Sequence, residues 1–296
     1  MPSEDDLLPI REVTRLTGVN PVTLRAWERR YGLIVPQRTG KGHRLYSAAH
    51  VQRIQQILQW LNRGIAVGQV KPLLDTSPAV QPAPGNDDWH TLRLQLVDCI
   101  AQLAERRLDQ LFNQAMALYP AATLCEQLLL PLLQELDTRW HGHFAARMEQ
   151  VFFHTWLRSK LGVRVYHNNR QLNAAPALLV NASALPFDPQ LWLCAWLLSD
   201  AGCAVEVFDW PLPPRELAFA VQQLKPCALV MCLNAALDPR ELQRSLNAID
   251  LPTLLLGSMA ALYKEHAEAA GLQAGNVHLP SSVVALPALL LGLLAT

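Results

Sequence analysis

Residues 10–46 constrain this chain more than any other stretch. Ile10, Val13 and Leu16 recur at helical spacing, and Gly18 supplies a stop. Asn20 is placed to cap a second helix, with Pro21 at its first position. Leu24, Trp27 and Tyr31 share one side of that helix, Thr23, Arg25, Glu28, Arg29 and Arg30 project elsewhere, and Gly32 closes it. A short helix that is apolar behind and basic in front suits a DNA major groove, which is about 12 Å wide. From Pro36 to Tyr46 the helical period is lost. Gly40-Lys41-Gly42 turns the chain between Val35–Arg38 and His43–Tyr46. Arg38, Lys41, His43 and Arg44 surround the turn, so the hairpin reads as a wing laid against phosphates.

Charge points the same way. Residues 8–74 hold eleven arginines and lysines against two acids, Glu12 and Glu28, although the whole chain is formally neutral. Ser47 caps a helix over about 48–62, and a shorter one follows over about 67–74.

These residues resemble the MerR family of bacterial transcription regulators. The resemblance rests on Ile10–Gly18, on Val19-Asn20-Pro21-Val22-Thr23-Leu24-Arg25-Ala26-Trp27-Glu28, and on Gly42-His43-Arg44-Leu45-Tyr46. It implies a winged helix-turn-helix whose second helix enters the major groove. Arg25, Arg44 and Tyr46 become backbone clamps, and Thr23 and Arg29 become groove-facing residues. The run Arg25-Ala-Trp-Glu-Arg-Arg-Tyr-Gly32 is typical of a branch that carries a cobalamin-binding-type region behind the DNA head.

The length, 296 residues, predicts two or three domains. The reading is a winged helix-turn-helix over 1–75, a linker over 76–88, a four-helix bundle over 89–165 that resembles a cobalamin-domain cap, and an α/β domain over 172–296 that resembles a cobalamin-binding domain and serves sensing or dimerisation. The Pro- and Asp-rich stretch 75–88 interrupts the helix through which many such regulators pair, so homodimerisation is assigned to the C-terminal regions. Bundle helices are predicted over 89–103, 105–118, 121–139 and 143–161, with Phe144 and Met148 among the inner positions and Pro131 bending the third. From Pro176 short apolar runs alternate with helical patterns. Strands over 177–183, 203–209, 227–233, 253–257 and near 274–277 predict a doubly wound, Rossmann-like or flavodoxin-like parallel sheet.

The branch's cobalamin motifs are altered. Trp140 is present, but the Glu-His pair expected nine residues on reads Gln150-Val151, with Glu149 one place early. In the Asp-x-His-x-x-Gly motif after the first strand, Asp188 matches, the cobalt-ligating His is Gln190, and the Gly is Leu193, whose side chain should crowd the nucleotide tail. These departures lead to the expectation of no cobalamin. The alternatives are a corrinoid-dependent (light- or B12-responsive) regulator, or one that senses another small molecule in the α/β crevice.

Other chemistries are weaker. His141, His143 and His154 do not share one helical face, so no metal is expected, and the six cysteines form no Cys-x-x-Cys pair. No phosphate-binding Gly loop or Gly-x-Ser-x-Gly elbow appears, so no enzyme is expected. The acidic N-terminus argues against an export signal. The apolar stretch Val283–Leu294 is shorter than the ~20 residues that span a bilayer, so a cytoplasmic protein without a membrane partner is expected. The partners implied are double-stranded promoter DNA, a second copy of the chain and, indirectly, RNA polymerase.

Overall fold

The computed structural model describes residues 7–62, 65–75, 87–142, 144–182, 186–234, 239–269 and 276–295. The acidic N-terminus, the Gly64 helix stop, most of the linker (76–86), His143, the end of the first predicted α/β strand (183), Ala235-Ala236 and the start of its last strand lie outside them. The chain divides into two compact units, Met1–Phe152 and Phe153–Thr296.

The first unit begins with β1 (Leu8–Pro9), α1 (Ile10–Thr17) and α2 (Pro21–Ala26), which continues as a π-type turn over Trp27–Tyr31. Asn20 caps α2 as its position predicts, its Oδ1 accepting from the Thr23 N–H at 2.9 Å. Gly18 and Gly32 both end their segments in the left-handed region, at φ 70° and 56°. The wing is β2 (Gln37–Arg38) paired antiparallel with β3 (Arg44–Tyr46). β1 joins the far edge of β3, a pairing too short to carry a sequence pattern. Then come α3 (Ala48–Asn62) and α4 (Val67–Asp75). Val13, Leu24, Trp27, Tyr46, Ile54, Ile57 and Leu61 close around one buried core.

The bundle helices of this unit are α5 (Asp87–Ala101), α6 (Glu105–Leu118), α7 (Ala121–Leu124), a π-type turn over Cys125–Leu129 and α8 (Leu130–Trp140). The widened turn lies immediately before Pro131. Proline has no N–H to donate into the preceding turn, so the segment widens where a bend was predicted. α9 (Ala146–Asn169) runs eight residues beyond its predicted end. Phe144 and Met148, predicted to be inner positions, are 94% and 50% exposed. Phe144 precedes the helix, so the inward period does not apply to it.

Head and bundle are not separated by the linker. The Trp27 indole, fully buried in the head's core, donates to the Leu118 carbonyl at 2.8 Å. Tyr119 stacks on Trp89 with ring centroids 4.5 Å apart, and its hydroxyl accepts from the Val67 N–H at 3.3 Å. Thr123 Oγ1 donates to Asn62 Oδ1, and Gln127 Nε2 to the Asn62 carbonyl, both at 3.1 Å. Leu118 and Tyr119 pack against the head's own core.

In the second unit β4 (Ala177–Asn181), β5 (Val205–Phe208), β6 (Ala228–Cys232), β7 (Thr253–Leu256) and β8 (Val277–His278) form one parallel sheet in the order β5-β4-β6-β7-β8. This is the flavodoxin-like order, whose crevice opens beyond the carboxyl ends of β4 and β6. α10 (Pro189–Asp200), α11 (Pro214–Leu224), α12 (Pro239–Asn247), α13 (Ala260–Ala269) and α14 (Leu286–Leu294) alternate with and follow the strands. β4, β6 and β7 are buried along their whole lengths, as strands covered on both faces must be. After β7, Gly257 sits at φ 102°, and a Cβ there would collide with the Leu233 carbonyl oxygen and lie 2.6 Å from Asn234 Oδ1. Gly257→Ala is therefore expected to lower stability by about 1–3 kcal/mol, read as a lower melting temperature, whereas Gly202→Ala meets no neighbour within 4 Å and pays only for its φ of 88°.

Candidate nucleic-acid interface and ligand module

Two elements build the basic face. α2 and its π-type turn leave Arg25, Arg29 and Arg30 exposed while Leu24 and Trp27 are buried behind them. The wing carries Arg38, Lys41 and His43 exposed and Arg44 half-buried. Glu28 joins the two, accepting from Arg38 at 2.8 Å and from Arg44 at 2.5 Å. Burial works to raise the Glu28 carboxyl, but hydrogen bonds and charge from Arg44 and Arg38 hold it below the ordinary carboxylate value.

Two of the expected DNA residues are placed differently. Thr23, expected to face the groove, is fully buried, on a helix that packs against α6 of the bundle. The reason is the seam just described: a sequence period identifies the side of α2 facing away from the head's core, but not that α6 covers part of that side. Tyr46 is also buried, at 1% exposure, and burial pushes its phenol up. Among the described residues, neither the Thr23 nor the Tyr46 hydroxyl finds a hydrogen-bond partner.

In the bundle, Trp140 is half-buried and its indole donates to Glu149 Oε2 at 3.2 Å. Glu149 is itself 3% exposed and is gripped at 2.9 Å on both oxygens by Arg139. The acid one place early is thus a buried anchor for Trp140, a role that spacing alone did not show. Gln150 is half-buried and pairs with Arg147, while Val151 and Met148, one turn apart on α9, expose apolar side chains.

In the α/β unit, Asp188 caps α10 through the Gln190 N–H at 2.9 Å and accepts from Asn234 Nδ2 at 2.6 Å. The same amide reaches Gln190 Oε1 at 3.3 Å, and Asn234 Oδ1 accepts from the Ser258 N–H at 3.0 Å. Asn234 therefore ties together α10 and the ends of β6 and β7 at the edge where the crevice opens. Burial pushes the Asp188 carboxyl up, partly offset by Asn234 and backbone N–H groups. Leu193 is fully buried within α10's packing. Among the described residues, no group of three or more His, Cys, Asp or Glu is placed to hold a metal ion, and no helix is long and apolar enough to cross a membrane.

Residues 8–77 match the family described as MerR HTH family regulatory protein, and residues 92–164 match the B12 binding domain family. The chain is 30% identical to the HTH-type transcriptional regulator MlrA of Salmonella typhimurium over 226 residues, covering 74% of this chain and 83% of that one. The chain belongs to the MerR family of helix-turn-helix regulators. It is also 26% identical to the HTH-type transcriptional repressor CarA of Myxococcus xanthus, over 88% of this chain and 89% of that one. Identity to the repressor CarH of the same organism is 25%, over 73% and 75% of the two chains. MlrA, CarA and CarH are each described as HTH-type transcriptional regulators or repressors.

The match over 92–164 overturns one expectation. Altered residues at 150, 151, 190 and 193 led to a reading without cobalamin, yet the helices around 150 and 151 keep the pattern of a B12 binding domain. Substitutions at single motif positions do not erase the helical framework, which extends over 92–164. The framework suits a corrinoid on the bundle side, where Trp140 is anchored and Met148 and Val151 leave apolar surface open. Outside that match, position 190 is a glutamine whose amide oxygen already accepts from Asn234.

The exposed arginines make one direct prediction. Arg44→Glu is expected to weaken binding to the duplexes the protein prefers and to lower their slope of log K against log salt by about 1. Arg29→Ala is expected to change the ranking among duplex sequences, measured by fluorescence anisotropy over a salt series.

Proposed function

We propose that this protein is a DNA-binding transcription regulator whose head answers to a corrinoid-class ligand taken by the module behind it. The observation that carries the reading is the seam. Trp27 belongs to the segment that carries the reading arginines, and its indole is bonded to the carbonyl of the last residue of α6. That helix lies within the stretch matching the B12 binding domain. A ligand that shifts α6 by a fraction of an ångström changes the setting of the reading segment, because packed interfaces switch between arrangements and do not stretch.

The protein acts as a dimer through its C-terminal regions, with two heads on an inverted repeat. In support, the sequence after α4 carries Pro78, Pro82 and Pro84, which a long pairing helix does not accommodate. Arg25, Arg29 and Arg30 serve the groove and its edges, and Arg38, Lys41, His43, Arg44 and Tyr46 the backbone. Thr23 reaches DNA only after α2 shifts on α6, and Tyr46 only after the head's own core loosens. The second reading, another small polar ligand in the α/β crevice, is favoured by the Asp188–Asn234–Gln190 cluster of amides and carboxyl.

The test is titration of the full-length protein with hydroxocobalamin and adenosylcobalamin, in the dark and after light. A shifted visible spectrum and co-elution on gel filtration are expected. Unshifted spectra with no co-elution would remove the corrinoid reading and leave the crevice ligand. Trp27→Phe keeps the core but deletes the bond to Leu118, a net loss of about 1 kcal/mol. It is expected to leave cobalamin uptake intact while shrinking the ligand's effect on DNA affinity about fivefold.

A further inference from the structure

Glu28 is the one carboxylate among Pro21–Tyr31, and both of its oxygens are occupied. Oε1 accepts from Arg38 Nη2 at 2.8 Å and Oε2 from Arg44 Nε at 2.5 Å. The two arginines face one another across the wing ladder, one on each strand. A single acid on the reading segment therefore gathers both arginines of the wing. Arg38 is half-exposed in its side chain and Arg44 mostly covered. Beside them the Tyr46 hydroxyl is buried without a hydrogen-bond partner among the described residues, and its electrostatic neighbours include Arg25.

A guanidinium already bonded to a carboxylate offers a phosphate little net charge, and a phosphate must compete with that carboxylate to bind it. Binding to DNA of arbitrary sequence rests almost wholly on cation–phosphate contacts. Seating the reading segment in a matching groove adds base contacts that meet the cost of exchange. We infer that Glu28 is a specificity-determining residue: it keeps Arg38 and Arg44 neutralised on non-target DNA and releases them to phosphates only when the groove contacts form. The inference rests on the DNA-binding reading above. Specificity here comes from suppressing the wrong complex, which is a recognised way to widen a difference in affinity.

Glu28→Gln keeps the size and one acceptor but removes the charge, while Glu28→Asp keeps the charge on a shorter arm. Binding of each full-length variant to a random-sequence duplex is measured over a salt series. Glu28→Gln is expected to bind about tenfold more tightly at low salt, with a salt slope steeper by about 1–2 phosphate contacts. Glu28→Asp is expected to retain the wild-type slope, and both variants to melt like wild type. Arg38→Gln carries the second readout and does not depend on Glu28 variants folding. It should cost more affinity on duplexes retained from genomic DNA by the wild-type protein than on random duplex. Unchanged affinity and slope in Glu28→Gln, or a fall in affinity parallel to that of Arg44→Ala, overturns the inference, because Glu28 then only fastens the wing. A wild-type protein that retains no duplex at all overturns the DNA-binding reading as well, and the two failures are told apart by that control.

Discussion

The buried indole of Trp27 holds two functions in one body. Its ring fills the core of the head, and its N–H is satisfied 91 residues away at the Leu118 carbonyl. A buried indole N–H needs a partner, and here the bundle supplies it. Tyr119, Thr123 and Gln127 add three more bonds on α4 and on the last residue of α3. The head is therefore set by the bundle, and the 76–88 stretch between them does not make them independent. Thr23 lies on a helix that packs against α6, whereas Tyr46 is buried within the head's own core.

Much of the fold was legible because it depends on local rules. The Asn20 cap, the stops at Gly18 and Gly32, the Gly40–Gly42 turn and the apolar strands of the sheet each lie within a few residues of their cause. The boundaries of α3 and α6 fall on the expected ones. What periodicity could not show was contact between distant segments. The seam joins residues 52 to 91 positions apart, and the partial covering of α2 by α6 follows from it. β1 escaped because two residues make no pattern. Phe144 was misplaced because a helical period was extended through a turn.

The ligand module shows a different kind of limit. Asp188 was recognised, but the tie through Asn234 to Gln190 and Ser258 was not, because it joins residues 24 to 46 positions apart. Glu149 stood one place from its expected position and was set aside, yet it anchors Trp140 with Arg139. A motif written as fixed spacings registers substitution as loss. The fold registers instead whether an equivalent side chain still reaches, and here Glu149 does while Gln190 brings an amide in place of an imidazole.

The central claim is that a basic winged head, mounted on the bundle, reads particular DNA sequences. The measurement closest to it is capture of genomic DNA fragments by the purified full-length protein, at physiological salt with competitor DNA, followed by sequencing. The account predicts a small set of fragments sharing an inverted repeat, whose half-sites are spaced by whole helical turns as two paired heads require. Recovery that follows genomic abundance, with no shared sequence, would contradict it.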